Sequence, residues 1–230
     1  MVTNRIARTA STLLAAGVFL LGCAGRAAVF ASPAFPEPPK EAAVTTSSKQ
    51  IAVLSGGCFW GMEGVFERLN GVSDVLTGYS GGAADTAHYE MVGTGQTGHA
   101  ESVQITYDPS VISYGTLLKV YFNIAHDPTE LNYQGPDEGT QYRSEIWYAN
   151  DAQKAEAEAY IKVLTDAKVF PQRIVTLVAP LKAFYPAEDY HQNFMDNNPD
   201  YPYIVFWDKP KVIDLQKTYP SLLSGKYPKL

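Results

Sequence analysis

Cys58 is the residue in this 230-residue chain best placed for chemistry. It follows the apolar run 51–54 and the turn sequence Ser55-Gly56-Gly57, and it precedes apolar residues that recur at helical spacing up to Leu69. These patterns predict a strand, a tight turn and a helix that begins at Cys58. Free backbone N–H groups and the positive end of the helix dipole favour a thiolate there, so we expect a lowered pKa for Cys58. The alternative is a buried structural cysteine.

Seven short motifs around and after Cys58 occur in a fixed order. The first is Gly57-Cys58-Phe59-Trp60-Gly61-Met62-Glu63, and the other six are Gly78-Tyr79-Ser80-Gly81-Gly82, His88-Tyr89-Glu90-Met91-Val92, Gly98-His99-Ala100-Glu101, His126-Asp127-Pro128-Thr129, Gly139-Thr140-Gln141-Tyr142-Arg143-Ser144 and Ala187-Glu188-Asp189-Tyr190-His191-Gln192. Together they resemble the A-type peptide methionine sulfoxide reductases over about Ile51 to Pro199. Such a match implies an enzyme that reduces methionine-S-sulfoxide, free or in oxidised proteins, to methionine, and so repairs oxidative damage.

Sulfoxide reduction needs a soft nucleophile for sulfur and a proton for the departing oxygen. The resemblance assigns the nucleophile to Cys58 and the acid to Glu101, with Cys58 becoming a sulfenic acid. A general acid works best with a pKa near ambient pH, so we expect Glu101 to be desolvated and its pKa raised. The alternative is a solvated glutamate at the edge of a strand.

Further site residues follow from the resemblance alone. Tyr89 and Tyr142 match two hydroxyl donors to the sulfoxide oxygen, and Asp137 matches the acidic residue near that pocket. Phe59 and Trp60 would form an apolar slot for the S-methyl group. Adjacent helix residues do not share a face, so the alternative is that one or both pack into the core.

Neither a metal nor a prosthetic cofactor is expected. The four histidines lack the close spacing of a metal site, and His191, with its acidic neighbours, is expected only to support the site. Many family members carry resolving cysteines after the position of Pro199, but this chain has none there. The resemblance therefore implies a single-catalytic-cysteine variant that depends on an external thiol, such as a thioredoxin-like or glutaredoxin-like protein.

Two rival functions are considered for this sequence. A Cys–His hydrolase would need a histidine beside Cys58, for which His191 with Asp189 is conceivable. A surface lipoprotein that binds ligands through its aromatic residues would not depend on Cys58 at all.

The elements that position these residues alternate between strands and helices. Apolar patterns predict strands over 51–54, 72–79, 100–107, 142–148 and 174–179, with the third half-buried. Helices are predicted after Cys58, after a Ser113 cap, and over 152–167 after an Asp151 cap, the last with Ala155, Ala159, Ile161 and Leu164 inward. The order favours an α+β fold, a two-layer sandwich or plait with a mixed sheet and helices mainly on one side.

The first residues predict export and lipidation. A basic start and the short apolar stretch 11–21 are typical of a signal peptide, and the stretch is too short for a comfortable membrane span. Leu20-Leu21-Gly22-Cys23 resembles a bacterial lipobox, in which Cys23 becomes the lipidated first residue; cleavage after Ala31 is the alternative. Ala24 favours the outer membrane by resemblance to Gram-negative lipoproteins. We therefore expect a protein of the cell envelope that faces the periplasm and touches the membrane only through its lipid.

Four segments are predicted along the chain: a lipoprotein signal peptide (1–22), a lipidated, Pro/Ser/Thr-rich mobile tether (23–49), the catalytic domain (50–210) and a C-terminal tail (211–230). The mature chain would then keep Cys58 as its only free thiol, so no internal disulfide is possible. The formal net charge of −6 argues against a nucleic-acid partner, and a monomer is expected.

Overall fold

The computed structural model describes residues 34–39 and 48–227. The strands are β1 (Gln50–Ser55), β2 (Val72–Ser80), β3 (Ala100–Tyr107), β4 (Tyr133–Gln134), β5 (Asp137–Glu138), β6 (Glu145–Tyr148), β7 (Leu177–Pro180) and β8 (Tyr185–Pro186). The helices are α1 (Phe59–Phe66), α2 (Tyr89–Val92), α3 (Tyr114–Val120), α4 (Asp151–Asp166), α5 (Phe194–Asn197) and α6 (Lys209–Thr218). Within these described ranges no helix combines the length and apolar character needed to span a membrane. The predicted signal peptide and Cys23 lie outside them.

Six strands form one mixed sheet in the order β7-β6-β1-β3-β2-β8, and β4 and β5 form a separate small hairpin. All neighbours in the large sheet are antiparallel except β6 and β7. The main core lies between one face of this sheet and helices α1, α3, α4 and α6, whereas a small cluster around Trp147 covers part of the other face. The predicted α+β fold, with a mixed sheet and helices mainly on one side, is confirmed.

Strand β3 has the predicted bounds, but the expected half-burial holds only for its second half. Residues 100–103 are all buried because β3 lies between β1 and β2 and the Trp147 cluster covers the face away from the helices. Side chains alternate along a strand, so Glu101 lies on the same face as Val103 and Ile105. That is the face on which the helices pack.

Helix α4 differs from the sequence prediction in its cap and in its buried face. Asn150, not Asp151, is the N-cap, and its side chain accepts a hydrogen bond from the Gln153 backbone N–H at 3.0 Å. The buried side chains are Gln153, Ala157, Tyr160 and Leu164, and Ile161 is half-buried against the core, so the prediction was correct for Leu164, partly correct for Ile161, and wrong for Ala155 and Ala159, which are exposed. Alanines occur on both sides of this helix, and the bulk of Tyr160 decides which side turns inward.

The proline-rich stretch before the domain is not a free tether at residues 35–39. The Phe35 ring meets the Phe170 ring edge-on with centroids 6.2 Å apart, and the Tyr160 hydroxyl donates to the Pro36 carbonyl at 2.7 Å. An aromatic side chain and one satisfied carbonyl are enough to dock a stretch that lacks apolar periodicity. Residues 23–33 and 40–47 of the predicted tether lie outside the described part of the chain.

The residues expected to form a C-terminal tail also fold onto the domain. Helix α6 buries Val212 and Leu215 and packs against α1. A π-helical turn, Ile204–Asp208, leads into it and buries Ile204 and Asp208. This segment thereby reaches the helix that begins at Cys58.

Candidate active site

Cys58 is the N-cap of α1, and side chains from other parts of the chain pack against the turn that precedes it. Gly57 has a φ of +87°, and a Cβ there would lie 2.5 Å from the Gln134 side chain, so both the backbone and the space require glycine. The Tyr121 hydroxyl donates to the Ser55 carbonyl at 2.7 Å, and the His126 ring packs against Gly56. The structure therefore has the predicted strand, turn and helix at Cys58. Cys58 itself is only 7% exposed.

Glu101 lies at the same helix terminus. The backbone N–H of Phe59 donates to Glu101 Oε2 at 3.0 Å, and the side chain is buried. Burial raises the pKa of Glu101 to about 8; the Phe59 N–H opposes this, and the negative charges of Asp137 and Asp208 add to it. At neutral pH the carboxyl is protonated, as a proton donor needs to be. The alternative of a solvated edge glutamate is wrong.

The pKa of Cys58 departs from its ordinary value in the direction opposite to our prediction. Burial is the largest cause that raises this pKa, and the charges of Glu101 and Asp208 raise it further. The Trp60 backbone N–H and the Lys211 ammonium act the other way. A helix dipole contributes about 0.3–1 kcal/mol in exposed settings, whereas burying an ion costs several kcal/mol. Desolvation therefore wins, and the resting residue is a thiol.

Two of the predicted polar residues, Tyr89 and Tyr142, are electrostatically coupled to Cys58 and Glu101. Burial raises the pKa of Tyr89 to about 12, with further contributions from the charges of Glu101 and Cys58. Burial also raises the pKa of Tyr142, with Glu101 and then Asp137 as the next causes. Glu188 fixes the Tyr89 end of this group, since its carboxylate accepts from the Tyr89 backbone N–H at 2.9 Å. The structure thus brings both hydroxyls into the electrostatic range of the thiol and the acid.

Asp137 is the first residue of β5, in the β4–β5 hairpin at the edge of the site. It accepts a hydrogen bond from the Tyr203 hydroxyl. Its pKa is raised by burial, while that hydrogen bond and the positive charge of Lys211 lower it. Pro136 lies in the hairpin turn and leaves Asp137 facing the C-terminal segment.

Phe59 and Trp60 point into different surroundings. Phe59 is 1% exposed and packs into the core beside Tyr79 and His191. Trp60 is partly exposed; its ring stacks on Phe194 with centroids 3.8 Å apart, and its indole N–H donates to Nδ1 of His191 at 3.1 Å. His191 therefore supports the Trp60 ring.

The sequence prediction missed three residues of the site, Tyr203, Asp208 and Lys211. All three come from the C-terminal segment. Asp208 and Lys211 pack against Gly61 in the first turn of α1. The aromatic run 201–207 was a visible signal for Tyr203, but no local pattern indicates that the other two reach Cys58.

Two histidines, His126 and His99, contact groups other than Cys58 and Glu101. His126 lies behind the turn, with ring nitrogens 2.9 Å from the Tyr121 carbonyl and 2.7 Å from Ser144 Oγ. His99 lies 2.9 Å from the Ala83 carbonyl. Among the residues that the structure describes, no group of three or more His, Cys, Asp and Glu side chains is placed to hold a metal ion.

Comparison with known proteins gives a consistent family. The model of the family described as peptide methionine sulfoxide reductase matches residues 50–221. The peptide methionine sulfoxide reductase MsrA 2 of Mesorhizobium japonicum is 58% identical over 177 residues, which are 77% of this chain and 91% of that protein. A protein of the same name from Synechocystis is 49% identical over 182 residues, 79% of this chain and 85% of its own.

Two solved structures resemble the chain in three dimensions. The reduced form of Mxr1 from Saccharomyces cerevisiae has a TM-score of 0.61 and 35% identity, and the match covers 66% of this chain and 87% of Mxr1. Methionine sulfoxide reductase A of Corynebacterium diphtheriae has a TM-score of 0.58 and 34% identity, covering 67% of this chain and 77% of that chain.

The buried Glu101 makes stability depend on pH. Its pKa is about 8 when folded and about 4.5 as an ordinary glutamate, so the native state holds the proton more tightly. This stabilisation is complete below the lower value and is lost as pH rises through about 8. Glu101→Gln stays uncharged, so its free energy of unfolding should fall less between pH 5 and pH 8, by as much as about 4 kcal/mol.

Urea unfolding at pH 5, 6.5 and 8 measures this difference. The exposed carboxyl of Glu138 provides the matched control, because Glu138→Gln should keep the parental pH dependence. Burial also raises the pKa of Glu63 to about 8, which leaves a residual slope in every variant. Equal slopes in the parent and Glu101→Gln would contradict a buried, protonated Glu101.

Proposed function

Because this chain belongs to the peptide methionine sulfoxide reductase family and is a reductase of its A type, we propose that Cys58 and Glu101 carry out the reduction. The substrate is methionine-S-sulfoxide, free or in oxidised proteins. The observation that carries the proposal is the meeting of a buried thiol and a buried acid at one helix terminus, where Phe59 N–H and Glu101 Oε2 are 3.0 Å apart.

The chemistry transfers one oxygen atom from substrate sulfur to Cys58 sulfur. Cys58 sulfur attacks the sulfoxide sulfur while Glu101 protonates the oxygen as the S–O bond weakens. The proton released by the thiol returns to Glu101. The attack forms a bond between the two sulfurs; the protonated oxygen then moves as a hydroxyl from the substrate sulfur to Cys58 sulfur, the sulfur–sulfur bond breaks, and the thioether leaves. The product is a Cys58 sulfenic acid, so the substrate sulfur is reduced by two electrons and the Cys58 sulfur is oxidised by two.

The surrounding residues bind and orient the sulfoxide. The Tyr89 and Tyr142 hydroxyls stay protonated at neutral pH, because burial raises the pKa of both, and they donate to the sulfoxide oxygen. Trp60, which is partly exposed and held by Phe194 and His191, provides the apolar contact for the S-methyl group. Phe59 backs this slot from the core, and Asp137 binds the polar part of the substrate at the rim.

The hydrolase alternative is less well supported. It requires a histidine that takes the proton of Cys58, but His191 accepts its hydrogen bond from the Trp60 indole. His126 lies behind the turn, bonded to Ser144. Because Nδ1 of His191 accepts a hydrogen bond, the neutral ring carries its proton on Nε2, which has no hydrogen-bond partner among the described residues, and both nitrogens of His126 have partners; neither ring therefore offers an open lone pair to take the proton of Cys58.

Recycling of the sulfenic acid uses an external thiol. Cys58 is the only cysteine among the described residues, so the chain brings no second thiol to it there. A thioredoxin-like or glutaredoxin-like protein would attack the sulfenic acid and release water, and a second thiol of that protein would resolve the mixed disulfide. No metal, flavin or nucleotide takes part in this route.

The enzyme acts in the cell envelope in this proposal. Residues 1–22 are removed, Cys23 carries the lipid, and residues 23–49 connect the anchor to the domain that faces the periplasm, with the outer membrane favoured. Mass spectrometry of the mature protein should find an acylated N-terminal Cys23, and Cys23→Ser should release the protein from membranes. An unmodified N-terminus at residue 32 would contradict lipidation.

Replacing the two reacting groups tests the mechanism. Glu101→Gln keeps the shape but cannot give a proton, so the rate of the reductive step should fall by about 10²–10⁴-fold while KM changes less. Cys58→Ser should form no methionine, because a hydroxyl is a poor nucleophile for sulfur. Methionine formation from a sulfoxide peptide in a single turnover measures both. A Glu101→Gln rate within about threefold of the parent would remove Glu101 from the acid role.

The recycling route predicts one turnover without reductant. A shortened chain that begins after Cys23, given excess methionine sulfoxide, should release about one methionine per protein and then carry a dimedone-reactive Cys58. Dithiothreitol or a reduced thioredoxin should restart turnover. Two methionines per protein without added thiol, or no restart by any thiol, would show that recycling follows another path.

A further inference from the structure

An ion pair from the C-terminal segment is buried beside the first turn of α1, and the reaction proposed above does not use it. Asp208 is fully buried, and its Oδ1 accepts a hydrogen bond from Lys211 Nζ at 3.2 Å. Its other oxygen, Oδ2, is buried without a hydrogen-bond partner. A buried carboxylate with one unsatisfied oxygen costs free energy, so its retention invites a functional explanation.

The Asp208–Lys211 pair occupies the space that a side chain at position 61 of α1 would fill. A Cβ added to Gly61 would lie 2.1 Å from Asp208 Oδ1 and 2.9 Å from Lys211 Nζ. Gly61 is the third residue after the N-cap Cys58, and in a capping box the side chain at that position reaches back to the N-cap residue. Asp208, which comes from the C-terminal segment, therefore fills the space that the carboxylate of a capping-box residue at position 61 would occupy beside the N-cap.

We propose that the Asp208–Lys211 pair is a positioning pair that sets the charge of the Cys58 sulfur. The carboxylate of Asp208 favours the thiol, the ammonium of Lys211 favours the thiolate, and their mutual contact keeps both groups at the first turn of α1. The inference rests on the proposed role of Cys58 as the reacting thiol.

Electrostatic effects on neighbouring groups support this arrangement. The charge of Asp208 raises the pKa of Cys58 and that of Lys211 lowers it. Burial raises the pKa of Asp208 to about 6 against the opposing effect of Lys211, so the Asp208 carboxylate is ionised at neutral pH. Asp208 has the larger effect on Cys58, and the resting sulfur is held as a thiol, the form that oxidants attack slowly.

Other titratable groups face the same sulfur and limit the pH at which the pair can be tested. They are Glu101 on β3, Tyr89 on α2, Tyr142 and Tyr203, with Asp137 and His126 facing the pair itself. Burial puts the pKa of Glu101 at about 8 and that of His126 at about 4. At pH 7 Glu101 and His126 are therefore neutral, while Asp208 is ionised.

Alkylation of Cys58 by iodoacetamide at pH 7 measures the thiolate fraction without any reductase assay. Asp208→Asn keeps the shape and removes the negative charge. The second-order rate constant should therefore rise by roughly tenfold, as expected if the pKa of Cys58 falls by about one unit. Adding Lys211→Met in that background removes the remaining cation and should return the rate constant to the parental value or below.

Lys209→Met in the Asp208→Asn background is the matched control. Lys209 lies on the same helix, 4.0 Å from the exposed Asp200, and its removal should leave the fast alkylation unchanged. Lys211→Arg in the same background should also keep it. Unfolding midpoints identify any variant that fails to fold.

Opposite shifts at the two positions distinguish charge from access. If Asp208→Asn merely opened the site, the double variant with Lys211→Met would stay as fast as the single one, and the proposal would be overturned. No acceleration in a folded Asp208→Asn variant would overturn it as well. Because alkylation needs only the thiol, a failure of the reductase mechanism would appear separately, in the methionine assay.

Discussion

The site depends on one constraint, which is that two acids share a water-poor space at the first turn of α1. Burial is the largest cause of the raised pKa of both the Cys58 thiol and the Glu101 carboxyl. Each ionised form would repel the other, so loss of the first proton makes loss of the second harder. The resting site therefore holds two protons at neutral pH. On the proposed route, one ends on the hydroxyl of the sulfenic acid and the other returns to Glu101.

The register of the sheet creates this constraint. Leu54 of β1 pairs with Val103 of β3, and the Ser55 and Ser102 hydroxyls lie 2.7 Å apart. One residue further along β3, Glu101 lies beside the point where β1 ends and the chain turns into α1. The alternation of side chains places it on the helical face, and β3 is central, so the carboxyl is buried as well as close.

Local patterns in the sequence predicted what local structure decides. The turn at Cys58 and both ends of β3 follow from glycines, apolar spacing and strand alternation, and family motifs located Tyr89, Tyr142 and Asp137. The pKa of Cys58 was predicted in the wrong direction, because the helix dipole is visible in sequence whereas the degree of burial is not. Helix α6 was missed as part of the site because its contact with Gly61 joins positions about 150 residues apart.

The packed C-terminal segment also limits how the enzyme can be recycled. Tyr203 is bonded to Asp137, and Asp208 is buried against α1, so both ends of the stretch 203–208 are held at the site, although residues 205–207 between them are exposed. A segment held in this way cannot also swing a thiol toward Cys58, and it contains no cysteine. Because Cys58 is only 7% exposed, the thiol of an incoming reductant has to protrude from that protein's surface to reach it. On the proposed recycling route, the burial that raises the pKa of Cys58 therefore also favours a reductant whose cysteine protrudes from its surface.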